Sequence, residues 1–210
     1  MSYYLAIDIG ASSGRHILGS IEDGKIKLEE IYRFENGISK IGDEYCWDIQ
    51  GLFNEIKKGI KKCKEIGKVP KTIGIDTWAV DFVLLDENDE MLGNVVAYRD
   101  DRTEGYMEKA FQVIPQDMLY LYTGIQFQRF NTLYQLLAIK DKNPEYLKKA
   151  KTFLMIPDYL NFLLTGKKAN EYTNATSTQL VNSFDRTWDK NILKEYGINE
   201  EMFQEIKMPK

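Results

Sequence analysis

Histidine occurs once in this 210-residue chain, cysteine twice and proline five times. One histidine and two cysteines cannot complete a Cys/His zinc cluster, and Cys46 and Cys63 lack metal-ligand spacing, so both thiols are expected to be reduced and structural. Nowhere do about eighteen apolar residues follow one another, and Met1 leads directly into a strand pattern with no basic and apolar leader, which argues against membrane spanning and secretion, so a cytoplasmic protein is expected. Charge of one sign is scarce as well: 28 basic residues face 32 acidic ones, for a net charge of −4. That balance argues against a nucleic-acid partner. The lysine runs, Lys57 to Lys64 and Lys148 to Lys151, alternate with apolar helix positions and carry no interleaved aromatics, so they read as solvated helix faces. Internal repeats, low-complexity tracts and long linkers are missing too. A chain of this size, 43% hydrophobic, buries about 70% of its unfolded surface without staples, and one compact domain is preferred over two.

The chain is organised around Ile7 to Gly19. An apolar run from Tyr3 to Ile9 ends in an acid and two glycines enclosing two serines, after which Arg15 opens a second apolar run: strand, tight turn, strand. Small residues let backbone N–H groups close on an anion, hydroxyls and a guanidinium add charge-assisted hydrogen bonds, and an acid at the strand end can hold Mg²⁺ through water. The turn is neither a Walker A loop, which needs Gly-Lys-Ser/Thr opening a helix, nor a dinucleotide fingerprint, which needs three spaced glycines opening a helix. By itself the stretch is also compatible with an ordinary β-turn.

Beyond it, Arg15 to Glu22 and Lys25 to Phe34 read as two further strands joined at Asp23-Gly24, followed by a loop over residues 37–43. Asp48 is placed to cap a helix in which Ile49, Leu52, Phe53, Ile56, Ile60, Cys63 and Ile66 recur at steps of three and four, with Gly67 as its stop. Thr72 to Asp76 suits a strand parallel to the first, and Phe82 to Leu85 another. Residues 99–102 read as an exposed charged loop. The remainder reads mainly helical, around Tyr106 to Phe111, around Leu133 to Lys140, and from Pro157 to Gly166, with a strand over Phe153 to Ile156. Strand, strand, strand, helix, strand is the order of the α/β, ribonuclease H-like fold of actin, chaperone ATPases and sugar kinases, a mixed sheet flanked by helices; order alone does not fix function.

Three blocks, D-I-G-A-S-S-G-R at Asp8 to Arg15, G-I-D-T-W-A-V-D at Gly74 to Asp81 running on through Phe82 to Asp86, and Y-T-N-A-T-S-T-Q-L at Tyr172 to Leu180, resemble the FGGY carbohydrate kinases, in particular their L-rhamnulose-phosphorylating branch. Ala97 to Asp100, Gly124 to Phe127, Phe130 to Leu136 and Pro157 to Tyr159 support the match. The resemblance implies the N-terminal domain of an ATP-dependent kinase that moves the γ-phosphoryl group, with Mg²⁺, to the 1-hydroxyl of L-rhamnulose; fuculose, xylulose or ribulose as acceptor, or a non-catalytic actin-like module, are the alternatives. It implies further that Gly10, Ala11, Ser12, Ser13, Gly14 and Arg15 touch the ATP phosphates, that Asp8 orients hydrated Mg²⁺, and that Ala79, with Asp76 and Trp78, meets the sugar. Typical motifs have glycine where Ala79 stands. Asp76 and Asp81 as strand caps, Trp78 as core and Arg99 as a surface ion pair remain the plain alternatives. The expected partners are ketose, ATP and the protein's own C-terminal domain, which would carry the general base and follow Lys210; the 210 residues alone are expected to be inactive. His16 is read as a packed histidine, and Tyr120, Tyr122, Phe127 and Phe130 as core or pocket lining.

Overall fold

The computed structural model describes residues 1–209, which group into two compact units: Met1–Ser39 with Trp47–Trp78, and Lys40–Cys46 with residues from Ala79 onward. In the first unit β1 (Tyr3–Ile9), β2 (Ser13–Glu22) and β3 (Lys25–Glu35) run antiparallel in succession. The turn between β2 and β3 places Asp23 at φ 50° and Gly24 at φ 75°, the left-handed pair that matches strand twist in a two-residue hairpin. Alternation in β1 is clean: Leu5, Ile7 and Ile9 are buried while Tyr4 and Ala6 are exposed, as a sheet with one covered face requires.

A hairpin, β4 (Ile38–Ile41) and β5 (Glu44–Trp47), turns at Gly42 with φ 62° where the sequence reading had a loop. Its strands are four residues long, too short to show a periodicity. The helix α1 (Ile49–Glu65) follows, capped as expected: the Asp48 carboxylate accepts from the Gly51 N–H at 2.8 Å. It buries Ile49, Leu52, Ile56, Gly59 and Cys63 and exposes its lysines; each fully buried Leu or Ile contributes about 1.5–3 kcal/mol. β6 (Pro70–Asp76) then returns parallel to β1, giving a mixed sheet in the order β3-β2-β1-β6.

In the second unit β7 (Phe82–Leu85) pairs antiparallel with β8 (Thr152–Met155). Between them lie α2 (Tyr106–Phe111), α3 (Gln116–Thr123), α4 (Thr132–Lys142) and α5 (Pro144–Lys149). β8 runs straight into α6 (Ile156–Thr165), with Pro157 in its first turn and Gly166 at φ 69° as its stop. β9 (Asn170–Glu171), α7 (Tyr172–Thr176), the hairpin of β10 (Val181–Asn182) and β11 (Thr187–Trp188), α8 (Lys190–Glu195) and β12 (Ile206–Lys207) complete the unit. One core unites Phe82, Leu133, Tyr134, Leu136, Phe153 and Leu180.

One expectation holds only in part. Of residues 99–102, Arg99 and Asp101 are exposed, but Asp100 is 6% exposed, accepting from the N–H groups of Tyr45 and Arg102, and the Arg102 guanidinium donates to Gln135 Oε1 at 2.6 Å. Polar composition signals exposure only until tertiary partners satisfy it. Of the two readings for Tyr120 and Tyr122, core is excluded, since both are exposed on α3. Cys46 and Cys63 are buried free thiols, both pushed up by burial. Among the described residues no helix is long and apolar enough to cross a membrane.

Candidate phosphate and sugar site

The turn between β1 and β2 is built by backbone and held from the side. Gly10 N–H donates to Ser13 O at 2.8 Å, closing the loop. Asn36, just past β3, clamps it: its N–H donates to Ser12 O at 3.0 Å and its Nδ2 to Gly10 O at 2.8 Å. The tip, Ala11 and Ser12, stays accessible. Gly14 is different. It is buried in β2, and a Cβ there would lie 2.1 Å from the Phe34 ring, so this glycine serves ring packing as well as any approach of a ligand.

Sheet register gathers the charges. Asp8 is in register with Arg15 on β2 and with Asp76 on β6, which places all three side chains on one face of the sheet. Arg15 Nε and Nη2 both donate to Asp8 Oδ2, at 2.9 and 2.8 Å. Both partners are about two-fifths exposed, so the pair is worth about 0–1 kcal/mol to the fold. On the same face a groove of about 550 Å³ runs past Tyr4, Ala6, Ile17 and Gly74 to Asp8 and Asp76. No cluster of three or more His, Cys, Asp or Glu that could hold a bare metal ion occurs among the described residues. Two neighbouring carboxylates, Asp8 and Asp76, beside a loop of amides and hydroxyls suit a hydrated Mg²⁺ carried largely by phosphate oxygens better than a bare ion.

Opposite this face lies His16, fully buried, with Nε2 3.3 Å from Ile56 O and its ring against Gly59. Burial lowers its pKa, opposed by the Ile56 carbonyl and Glu55. It is packed, as expected, and no catalyst.

Of the residues that the resemblance assigns to a sugar, Asp76 is exposed beside Asp8, while Trp78 is half-buried with its ring centroid 4.0 Å from that of Trp47. Ala79 belongs to the second unit, where it is exposed. Asp81 is fully buried, its carboxylate accepting from Tyr98 N–H and Gln135 Nε2; it is out of a ligand's reach. Arg99 lies on Tyr98, donating to its hydroxyl at 3.1 Å, with no ion pair among the described residues.

Between Ala79 and Asp81 the chain is strained. Val80 has φ 66°, and Asp81 N–H donates to Ala79 O at 2.9 Å around it, a γ-turn of the rare positive-φ kind. A β-branched residue there costs about 1–3 kcal/mol. Asn36, Thr132, Gln135 and Ser177, which hold these two loops, escaped the sequence reading; only the presence of the last three in matching blocks pointed at them.

Solved sugar kinases share this architecture. A ligand-bound xylulose kinase from Lactobacillus acidophilus superposes with a TM-score of 0.88 at 22% identity, covering 100% of this chain and 42% of that one. A Plasmodium falciparum glycerol kinase with ADP does so at 0.76 and 21%, over 99% and 43%. The fold is therefore that of the sugar kinases, with the mixed α/β sheet and the tight β1–β2 hairpin the sequence led us to expect. Residues 3–209 match the profile of the FGGY family of carbohydrate kinases, N-terminal domain, and the chain belongs to that family. Among its relatives are proteins named rhamnulokinase from Halalkalibacterium halodurans, 61% identical over 209 residues, and from Oceanobacillus iheyensis, 57% identical over 205. They align over 100% and 98% of this chain and 44% of each relative, so the chain spans less than half their length.

Proposed function

We propose that the protein carrying this chain transfers the γ-phosphoryl group of ATP, with Mg²⁺, to the 1-hydroxyl of L-rhamnulose, and that residues 1–210 are its sugar- and phosphate-binding N-terminal domain. The observation that carries the reading is the 61% identity, across the whole chain, to a protein named rhamnulokinase, against 22% to a xylulose kinase of the same fold.

In this reading the hairpin of Gly10 to Gly14 and the Arg15 guanidinium meet the phosphates, and Asp8 orients a hydrated metal. Fixed amides and a guanidinium aimed at a transferring phosphoryl group lower its barrier by stabilising charge that would otherwise need water to reorganise. Arg15 would trade part of its bond to Asp8 for phosphate oxygens. Asp76, Trp78 and Ala79 face the ketose. The proton-abstracting base comes from the C-terminal portion, so these residues alone lack both the base and the second wall that excludes water. Cytoplasmic location follows from the proposed substrates.

The test is turnover of L-rhamnulose, fuculose, xylulose and ribulose by the full-length protein in an ADP-release assay. L-rhamnulose is expected to give the highest kcat/KM, and Ala79→Gly to change the order of preference if the methyl touches sugar. Equal or higher kcat/KM for another ketose would overturn the assignment of L-rhamnulose.

A further inference from the structure

Valine is a poor choice for a turn at φ 66°, since glycine adopts that conformation without the Cβ clash. Val80 is nevertheless held there by three side chains from two other elements, all within the second unit. Thr132 Oγ1, at the first turn of α4, donates to Val80 O at 2.6 Å. Gln135, one turn on, donates through Nε2 to the same carbonyl at 3.2 Å, to Asp81 Oδ1 at 3.0 Å and to Phe130 O at 2.9 Å. From beyond α7, 97 residues away in sequence, Ser177 Oγ accepts from Val80 N–H at 3.3 Å. Both polar groups of one peptide residue are thus engaged, and Thr132 and Gln135 are themselves fully or almost fully buried. Gln135 is fixed in turn, because its Oε1 accepts from Arg102. Strain of this kind persists only where surroundings over-determine it, and it collects where a backbone must be presented in one particular way. The residue presented here is Ala79, exposed, with its carbonyl locked into the turn by Asp81 N–H.

We infer that Thr132, Gln135 and Ser177 are positioning residues that clamp the Val80 γ-turn and thereby set how Ala79 meets the ketose, without touching the sugar themselves. The inference rests on the kinase reading for what Ala79 contacts. It does not rest on it for the clamp.

The experiment uses the full-length protein and four variants: Thr132→Val, which keeps shape and loses the donor; Thr132→Ser, which keeps the donor; Val80→Gly, which needs no clamp; and Thr132→Val with Val80→Gly. Thr132→Val is expected to raise KM for L-rhamnulose about tenfold, the size of one buried hydrogen bond, with KM for ATP and kcat within about twofold of the parent. Thr132→Ser restores the ketose KM, and Val80→Gly recovers most of the loss in the Thr132→Val background. A ketose KM unmoved by Thr132→Val, an equal rise in KM for ATP, or failure of Thr132→Ser to restore it overturns the proposal. Melting midpoints of the same four variants separate it from the kinase reading. The cavity left by glycine is common to both backgrounds, so Val80→Gly should cost less in Thr132→Val than in the parent; equal shifts dismiss the clamp. If the parent phosphorylates no ketose while the midpoints remain coupled, the kinase reading fails and the clamp stands.

Discussion

Arg15→Ala separates the role proposed for the β1–β2 hairpin in phosphoryl transfer from its contribution to the fold. In the structure both donor atoms of Arg15 engage one oxygen of Asp8, with side chains 45% and 40% exposed. A surface pair of that kind contributes about 0–1 kcal/mol, so removing it should shift the melting midpoint of the full-length protein by no more than a few degrees. If the guanidinium contacts the transferring phosphoryl group, the loss is that of a charge-assisted hydrogen bond, about 1.5–3 kcal/mol, or roughly ten- to 150-fold in rate. An ADP-release assay at saturating ATP and L-rhamnulose reads this directly. Arg15→Lys should fall between parent and alanine, because it keeps the charge and loses the planar fork. Equal rates for parent and Arg15→Ala would refute the role of Arg15, and a large fall in melting midpoint alongside the rate loss would refute the separation.

Gly59→Ala poses the reverse contest. Helix propensity alone favours alanine by about 1 kcal/mol, but the new Cβ would stand 2.2 Å from the buried His16 ring, and overpacking costs about 1–3 kcal/mol. Packing should win, lowering the melting midpoint; an unchanged or higher midpoint would show that the ring yields freely. Asp158 supplies a pH dependence. Burial raises its pKa from 3.8 to about 7, its bond from Glu171 N–H lowers it and the Glu171 carboxylate raises it. The native state therefore keeps a proton between pH 4 and 7 that the unfolded chain has lost, so this residue's contribution to stability falls as pH rises through that window and levels above it. Asp158→Asn should lift stability at pH 8 by up to about 4 kcal/mol and leave stability at pH 4 nearly unchanged, as read by denaturation at both values; a gain independent of pH would contradict the assignment. Thr132→Val and Val80→Gly, coupled through the clamped turn, complete the set.

What could be read from residues in order was whatever has a local cause. An apolar run stopped by an acid and glycines made β1 legible, a three-and-four repeat behind Asp48 made α1 legible, and Asp23-Gly24 announced its hairpin, because turn chemistry and amphipathic period are properties of neighbours in sequence. The β1–β2 hairpin could be located for the same reason, though its small residues alone are compatible with an ordinary turn and its proposed phosphate role rests on separate blocks taken together. Tertiary structure decided the rest. That Gly59 lies against the ring of His16, 43 positions earlier, and that Gly14 also makes room for the Phe34 ring, appeared only in the fold. Asp100 and Arg102 read as surface charge and proved to be satisfied from Tyr45 and Gln135. Asn36 gripping the loop and Thr132, Gln135 and Ser177 gripping Val80 join residues 24 to 97 positions apart. A hydrogen bond across such a distance leaves no period and no motif in the chain, since each partner is chosen by where the other arrives once the sheet and helices have packed.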